Sequence, residues 1–71
     1  MEKAYNITFK PHKRTSLWVD RIENNIVYAK NKASAKELGQ AIVRDYYEAK
    51  GYKDTEYMTK QYTYIITEET I

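Results

Sequence analysis

The side chains with the most chemical potential in this chain are aromatic and cationic. Eight tyrosines and one tryptophan stand among 71 residues, beside twelve Lys/Arg and ten Asp/Glu. Catalytic groups are scarce by comparison. His12 is the single histidine and lies in the polar run His12-Lys13-Arg14-Thr15-Ser16. No cysteine is present for it to activate, and there is no second histidine with which it could share a metal. With Gly39 and Gly51 as the two glycines, no glycine-rich cradle for phosphates can be built. Asp54, Glu56, Glu68 and Glu69 are carboxylates, but a general acid–base pair needs a cleft that drives its pKa values apart. A domain of this size has little room for one. The expectation is a protein that is not an enzyme and that uses neither a metal nor a cofactor.

Recognition chemistry is better supplied. Tyrosine offers a rigid amphipathic ring with few torsions to freeze, which suits binding patches. Tyr5, Tyr28, Tyr46, Tyr62 and Tyr64 fall on predicted strand or helix faces, where they would wall a core with their hydroxyls at water. Tyr47, Tyr52 and Tyr57 are the candidates for exposure, and with Asp54 and Glu56 they form a first candidate set, a protein-binding surface. Trp18 heads the second set. Together with Lys13, Arg14, Arg21 and Lys30 it would make an aromatic surface rimmed by cations, suited to phosphate contact plus stacking. Two placements of Trp18 are open: on an uncovered sheet face if Leu17 and Val19 face a helix, or in the core if the register is inverted.

The elements that must position these residues follow from periodicity. In residues 4–10, Tyr5, Ile7 and Phe9 alternate with Asn6, Thr8 and Lys10, which predicts a half-buried strand stopped at Pro11. Residues 17–22 predict a second strand. A turn at Glu23-Asn24-Asn25 leads into a third at 26–30. The period then changes. Ser34 and Glu37 have capping-box spacing, and a helix is predicted over 35–50 with Ala35, Leu38, Ile42, Tyr46 and Ala49 inward. Gly39, Val43 and Tyr47 run along the edge of that arc, either as the flank of a wide core face or as a smooth stripe that receives a partner. Gly51 provides the stop. Residues 52–59 read as irregular, and 60–68 as a fourth strand. The predicted fold class is α+β: a two-layer sandwich of order β-β-β-α-β over a single domain, 1–71. Its mainly antiparallel sheet carries one helix packed on one face, and the other face is left open.

Composition narrows location and partners. The apolar share of 42% against 31% charged is an ordinary globular balance. No segment approaches 18 apolar residues and no signal-peptide pattern opens the chain, so the expected location is cytoplasmic, without membrane contact. Richness in Lys, Asn, Ile and Tyr resembles the usage of AT-rich genomes, such as those of low-GC bacteria and their phages. The charge is split: residues 1–36 carry eight Lys/Arg against three Asp/Glu, and residues 37–71 carry four against seven. Such polarity steers association. The first functional reading is therefore a non-enzymatic small binding protein, a phage or mobile-element regulator or inhibitor that binds a larger host protein through Tyr47, Tyr52, Asp54, Glu56 and Tyr57. The alternative is DNA binding by the basic meander. Over residues 5–50 the predicted order of three strands and a helix is similar in outline to the arm-binding domains of phage and transposon integrases and to the plant AP2 domain. That resemblance implies a sheet laid in the major groove, with Lys13, Arg14, Trp18, Arg21 and Lys30 as contacts; the fourth strand departs from it. A homodimer fits both readings, through a free sheet edge or the Gly39, Val43, Tyr47 stripe.

Overall fold

The alternation of residues 4–10 builds the centre of the sheet. In the computed structural model, which describes residues 2–15 and 17–69, β1 (Lys3–Pro11) is flanked by β2 (Asn25–Ala29) and β3 (Tyr62–Glu68) in the order β2-β1-β3. Both pairings are antiparallel, β1 to β2 from Lys3↔Ala29 to Ile7↔Asn25 and β1 to β3 from Tyr5↔Glu68 to Pro11↔Tyr62. Because strand side chains alternate, this register puts Tyr5, Ile7 and Phe9 on one face with Val27, Ala29, Tyr62, Tyr64 and Ile66. The long helix α1 (Lys32–Ala49) covers that face. The opposite face carries Asn6, Thr8, Lys10, Ile26, Tyr28, Thr63, Ile65 and Thr67. It is open, as expected, and Tyr28 stands exposed on it where a core-walling role was predicted. The α+β class and the mainly antiparallel sheet are those predicted.

The element order differs. Residues 17–22 form no strand, so two strands precede α1 and the order is β-β-α-α-β. The likeness to the integrase arm-binding outline, which needs a third strand there, is therefore not upheld. The physical reason is that tyrosine hydroxyls take the backbone groups of Asp20: its N–H donates to the Tyr47 hydroxyl at 2.9 Å, and its carbonyl accepts from the Tyr62 hydroxyl at 2.5 Å. Tight turns precede it, with the amides of Trp18 and Val19 both donating to the Thr15 carbonyl. Val19 then inserts into the core beside Phe9 and Met58. A second helix, α2 (Thr55–Thr59), forms in the stretch expected to be irregular, capped by the Asp54 carboxylate accepting from the Tyr57 amide at 3.0 Å.

The long helix starts earlier than predicted, and its inward face is the wide one. Ala35 is buried and Ile42 and Tyr46 pack against the core as expected, but the centre lies on the Gly39, Val43, Tyr47 stripe. Its N-cap is Asn31, whose side-chain oxygen accepts from the Ser34 amide at 2.9 Å, so Ser34 lies inside the first turn. The buried stripe is Ala35, Gly39, Val43 and Tyr47, whereas Leu38 and Ala49 are exposed. Gly39 sets this phase. A Cβ at position 39 would lie 3.1 Å from Ile7 Cδ1 and 3.3 Å from Tyr64 Cδ2, so a bare glycine lets the helix press onto the sheet. The stop at Gly51 is as predicted: φ is +91°, its amide donates to the Glu48 carbonyl, and the Tyr52 amide donates back to the Tyr47 carbonyl. That bond pair, with the Tyr47 and Tyr52 rings 4.9 Å apart, is the Schellman closure.

Candidate functional site

Asp20 organises the loop between β1 and β2. Since the Tyr62 hydroxyl gives its hydrogen to the Asp20 carbonyl, the 2.5 Å bond between Tyr47 and Tyr62 must be donated by Tyr47. The circuit then closes: Asp20 N–H to Tyr47, Tyr47 to Tyr62, Tyr62 to the Asp20 carbonyl. Every polar atom in it is used, which is how buried phenols avoid a desolvation penalty. The Asp20 carboxylate is held separately, accepting from the Tyr46 hydroxyl at 2.8 Å and from the Lys50 ammonium. The hydrogen bond from Lys50, then that from Tyr46, lowers the Asp20 pKa below its ordinary value, and the reciprocal bond to Asp20 raises that of Lys50. Burial first, and then the bond with Tyr47, raises the Tyr62 phenol.

This pinning presents the residues just before it. Leu17 is 97% exposed and Trp18 51% exposed. The indole lies parallel to the ring of Tyr57, 8° between planes and 6.5 Å between centroids, and Tyr57 is itself 49% exposed. Tyr57 is carried on α2, which buries Met58 and is joined to α1 by the Arg44–Glu56 ion pair at 3.2 Å. Trp18 and Tyr57 therefore lie side by side at the surface, with Leu17 exposed next to Trp18 in the chain. Lys13 and Arg14 lie on the same loop.

The two candidate sets thus meet at one place, Trp18 from one and Tyr57 from the other. Within the first set, Tyr47 must be withdrawn from the surface: it is 1% exposed, drawn into the core by its hydroxyl partners and by the inward phase of α1. Tyr52 is exposed at the helix end, Asp54 is the α2 cap and Glu56 pairs with Arg44. The second set does not form one patch. Trp18 lies neither on the uncovered sheet face nor in the core. Arg21 borders a cleft of about 440 Å³ beside Thr8, Phe9, Lys10 and Pro11. Lys30 sits next to Tyr28 and Glu37 at the Lys3 end of β1, roughly 26 Å along the strand from Pro11 at ~3.3 Å per residue. Leu17 and Asp20 were missed altogether. Leu17 read as an inward strand residue, and Asp20 bonds partners 26 to 42 positions away, which leaves no local signal.

Among the described residues no three His, Asp or Glu side chains gather in a way that could hold a metal ion, and no helix is long and apolar enough to cross a membrane. What Leu17, Trp18 and Tyr57 can do chemically is bury apolar and aromatic surface. Comparison with protein-family models, with curated proteins and with solved structures finds no match to this chain.

Proposed function

We propose that this chain is a non-enzymatic small binding protein that docks a larger protein through Leu17, Trp18 and Tyr57. One observation carries the reading: a leucine 97% exposed beside a half-exposed tryptophan, on a loop whose next residues are pinned at Asp20. Burying such a leucine in a partner contributes about 1.5–3 kcal/mol. Tryptophan and tyrosine dominate interface energetics, and a pre-ordered loop loses little entropy on binding. Lys13 and Arg14 on the same loop, and Asp54 and Glu56 beside Tyr57 on α2, bring charges of both signs to these two segments. Action as a regulator or inhibitor of a host protein in the cytoplasm, in a phage or mobile element, belongs to the same proposal; absence of cysteine and the Lys/Asn/Ile/Tyr-rich composition support it.

DNA binding is the second reading, favoured by Lys13 and Arg14 on the loop that carries Trp18. Arg21 lies at the cleft beside Lys10 and Pro11 and Lys30 at the opposite end of β1, so the basic set lacks a continuous track. The test is retention of a discrete protein by the immobilised chain from nuclease-treated lysate of its native cell, set against Leu17→Ser and Trp18→Ala. The wild type retains it and both variants lose it while keeping their far-ultraviolet spectra. Recovery of nucleic acid alone, or a salt-sensitive shift of Trp18 emission on adding duplex DNA, would transfer the proposal to DNA.

A further inference from the structure

The open edge of β3 is the longer of the two free edges of the sheet. The His12 amide donates to the Gln61 carbonyl at 3.0 Å and the Glu69 amide to the Ala4 carbonyl at 2.8 Å. With the β1–β3 register, these bonds fix the parity of the ladder: Thr63, Ile65 and Thr67 bond to β1. Tyr62, Tyr64, Ile66 and Glu68 therefore turn their N–H and C=O groups away from β1, with Tyr62 at the buried end of the edge. The edge of β2 is shorter, a five-residue strand that turns out only Ile26 and Tyr28. Exposed edges are usually guarded by lysine, proline, a bulge or brevity. Residues 62–67 read Tyr-Thr-Tyr-Ile-Ile-Thr and have none of these.

The same residues complement themselves. For two copies of β3 to pair antiparallel about a two-fold axis, outward-turned residues must oppose outward-turned residues. Centring the axis on Ile65 satisfies this throughout: Tyr62 faces Glu68, Tyr64 faces Ile66, Thr63 faces Thr67 and Ile65 faces itself. Ile65, 45% exposed on the open sheet face, becomes a non-hydrogen-bonded pair with Cα atoms about 4.5 Å apart, flanked by threonine pairs. The only charge on the strand, Glu68, meets Tyr62, so no like charges oppose. The molecule also has surface to lose. Its accessible area is 5317 Å², about 650 Å² more than the mass scaling gives for a compact 8.5 kDa chain.

We propose that β3 is a self-association edge, pairing antiparallel with β3 of a second copy about Ile65 to make a six-stranded sheet with both α1 helices on one side. The proposal is independent of the Trp18 patch. Because the chain has no cysteine, Ile65→Cys introduces a single thiol at the axis, where the pair spacing suits a disulfide. Light scattering should give the dimer mass for the wild type and the monomer mass for Ile65→Lys, with unchanged far-ultraviolet spectra. Under mild oxidation Ile65→Cys should cross-link fully. Thr63→Cys should not, because position 63 faces 67, whereas Thr63→Cys/Thr67→Cys should. A wild type that is monomeric at several hundred micromolar, or Thr63→Cys cross-linking as fast as Ile65→Cys, overturns it.

Discussion

Tyr47 and Tyr62 show how much of this structure rests on single hydroxyl groups. Each phenol closes one side of the circuit through Asp20, so removing one oxygen strands two buried partners. Tyr62→Phe leaves the Asp20 carbonyl without its donor and the Tyr47 O–H without its acceptor, while Tyr47 still accepts from the Asp20 amide, and should cost about 1–3 kcal/mol in urea unfolding. Tyr47→Phe should cost a similar amount. The double variant removes both sides of the bond between them and should cost less than the sum, a coupling of roughly 1 kcal/mol read from the cycle. The Asp20 carboxylate makes a pH prediction. Its pKa is lowered from 3.8 by the bonds from Lys50 and Tyr46. Its contribution is therefore complete above the unfolded value and is lost as pH falls from 3.8 through the lower folded value. Trp18 emission, reporting release of the loop, should change over that acid range in the wild type and lose this component in Asp20→Asn. None of this was legible beforehand. Tyrosines could be sorted by strand and helix phase, which placed Tyr5 and Tyr62 inside correctly, but a hydroxyl whose partner is 27 positions away gives no periodic signal.

At the scale of elements, periodicity identified β1, β2, α1, β3 and the Gly51 stop, because each is written in local spacing. The phase of α1 was not legible for a definite reason. Reading the inward arc from large apolar residues picks Leu38, Ile42 and Tyr46, of which Ile42 and Tyr46 do pack on the core, whereas the arc is centred on the smallest residue, Gly39. Gly39→Ala tests this. In an exposed helix the change would stabilise by about 1 kcal/mol through propensity. Here the new methyl meets Ile7 Cδ1 at 3.1 Å and Tyr64 Cδ2 at 3.3 Å, Ile7 is fully buried, and overpacking costs about 1–3 kcal/mol. The net expectation is a loss of about 1 kcal/mol and a lower thermal midpoint. Gly51→Ala should also lose about 1–2 kcal/mol, for the opposite reason: nothing crowds the site, but φ of +91° strains any side chain. The strand predicted at 17–22 failed in another way. Leu17, Val19 and Ile22 are apolar enough for a strand, yet only Val19 is buried and Ile22 packs partly against the core, because the tertiary bonds at Asp20 outcompete a ladder.

For the whole molecule, shape connects stability to association. The radius of gyration is 12.3 Å and the extents are 36 × 22 × 17 Å, whereas a compact chain of this length would have a radius near 11 Å. The elongation comes from laying an 18-residue helix along a narrow three-stranded sheet. Among the described residues it leaves one sheet face and both sheet edges without a covering layer. A chain with so little interior and no disulfide gains from covering such surface, and pairing at β3 couples folding to concentration. Each tenfold rise in protein concentration adds about 1.4 kcal/mol per dimer. Divided by an unfolding entropy of ~2.1 cal/mol/K per residue over two chains, this raises the thermal midpoint by about 5 °C. Calorimetry across a hundredfold concentration range should show that slope in the wild type and a flat line in Ile65→Lys. Leu17→Ser and Trp18→Ala, altered only in the exposed patch, should keep the wild-type slope. A slope that persists in Ile65→Lys but vanishes in Leu17→Ser would place self-association on the Trp18 patch and leave β3 a bare edge.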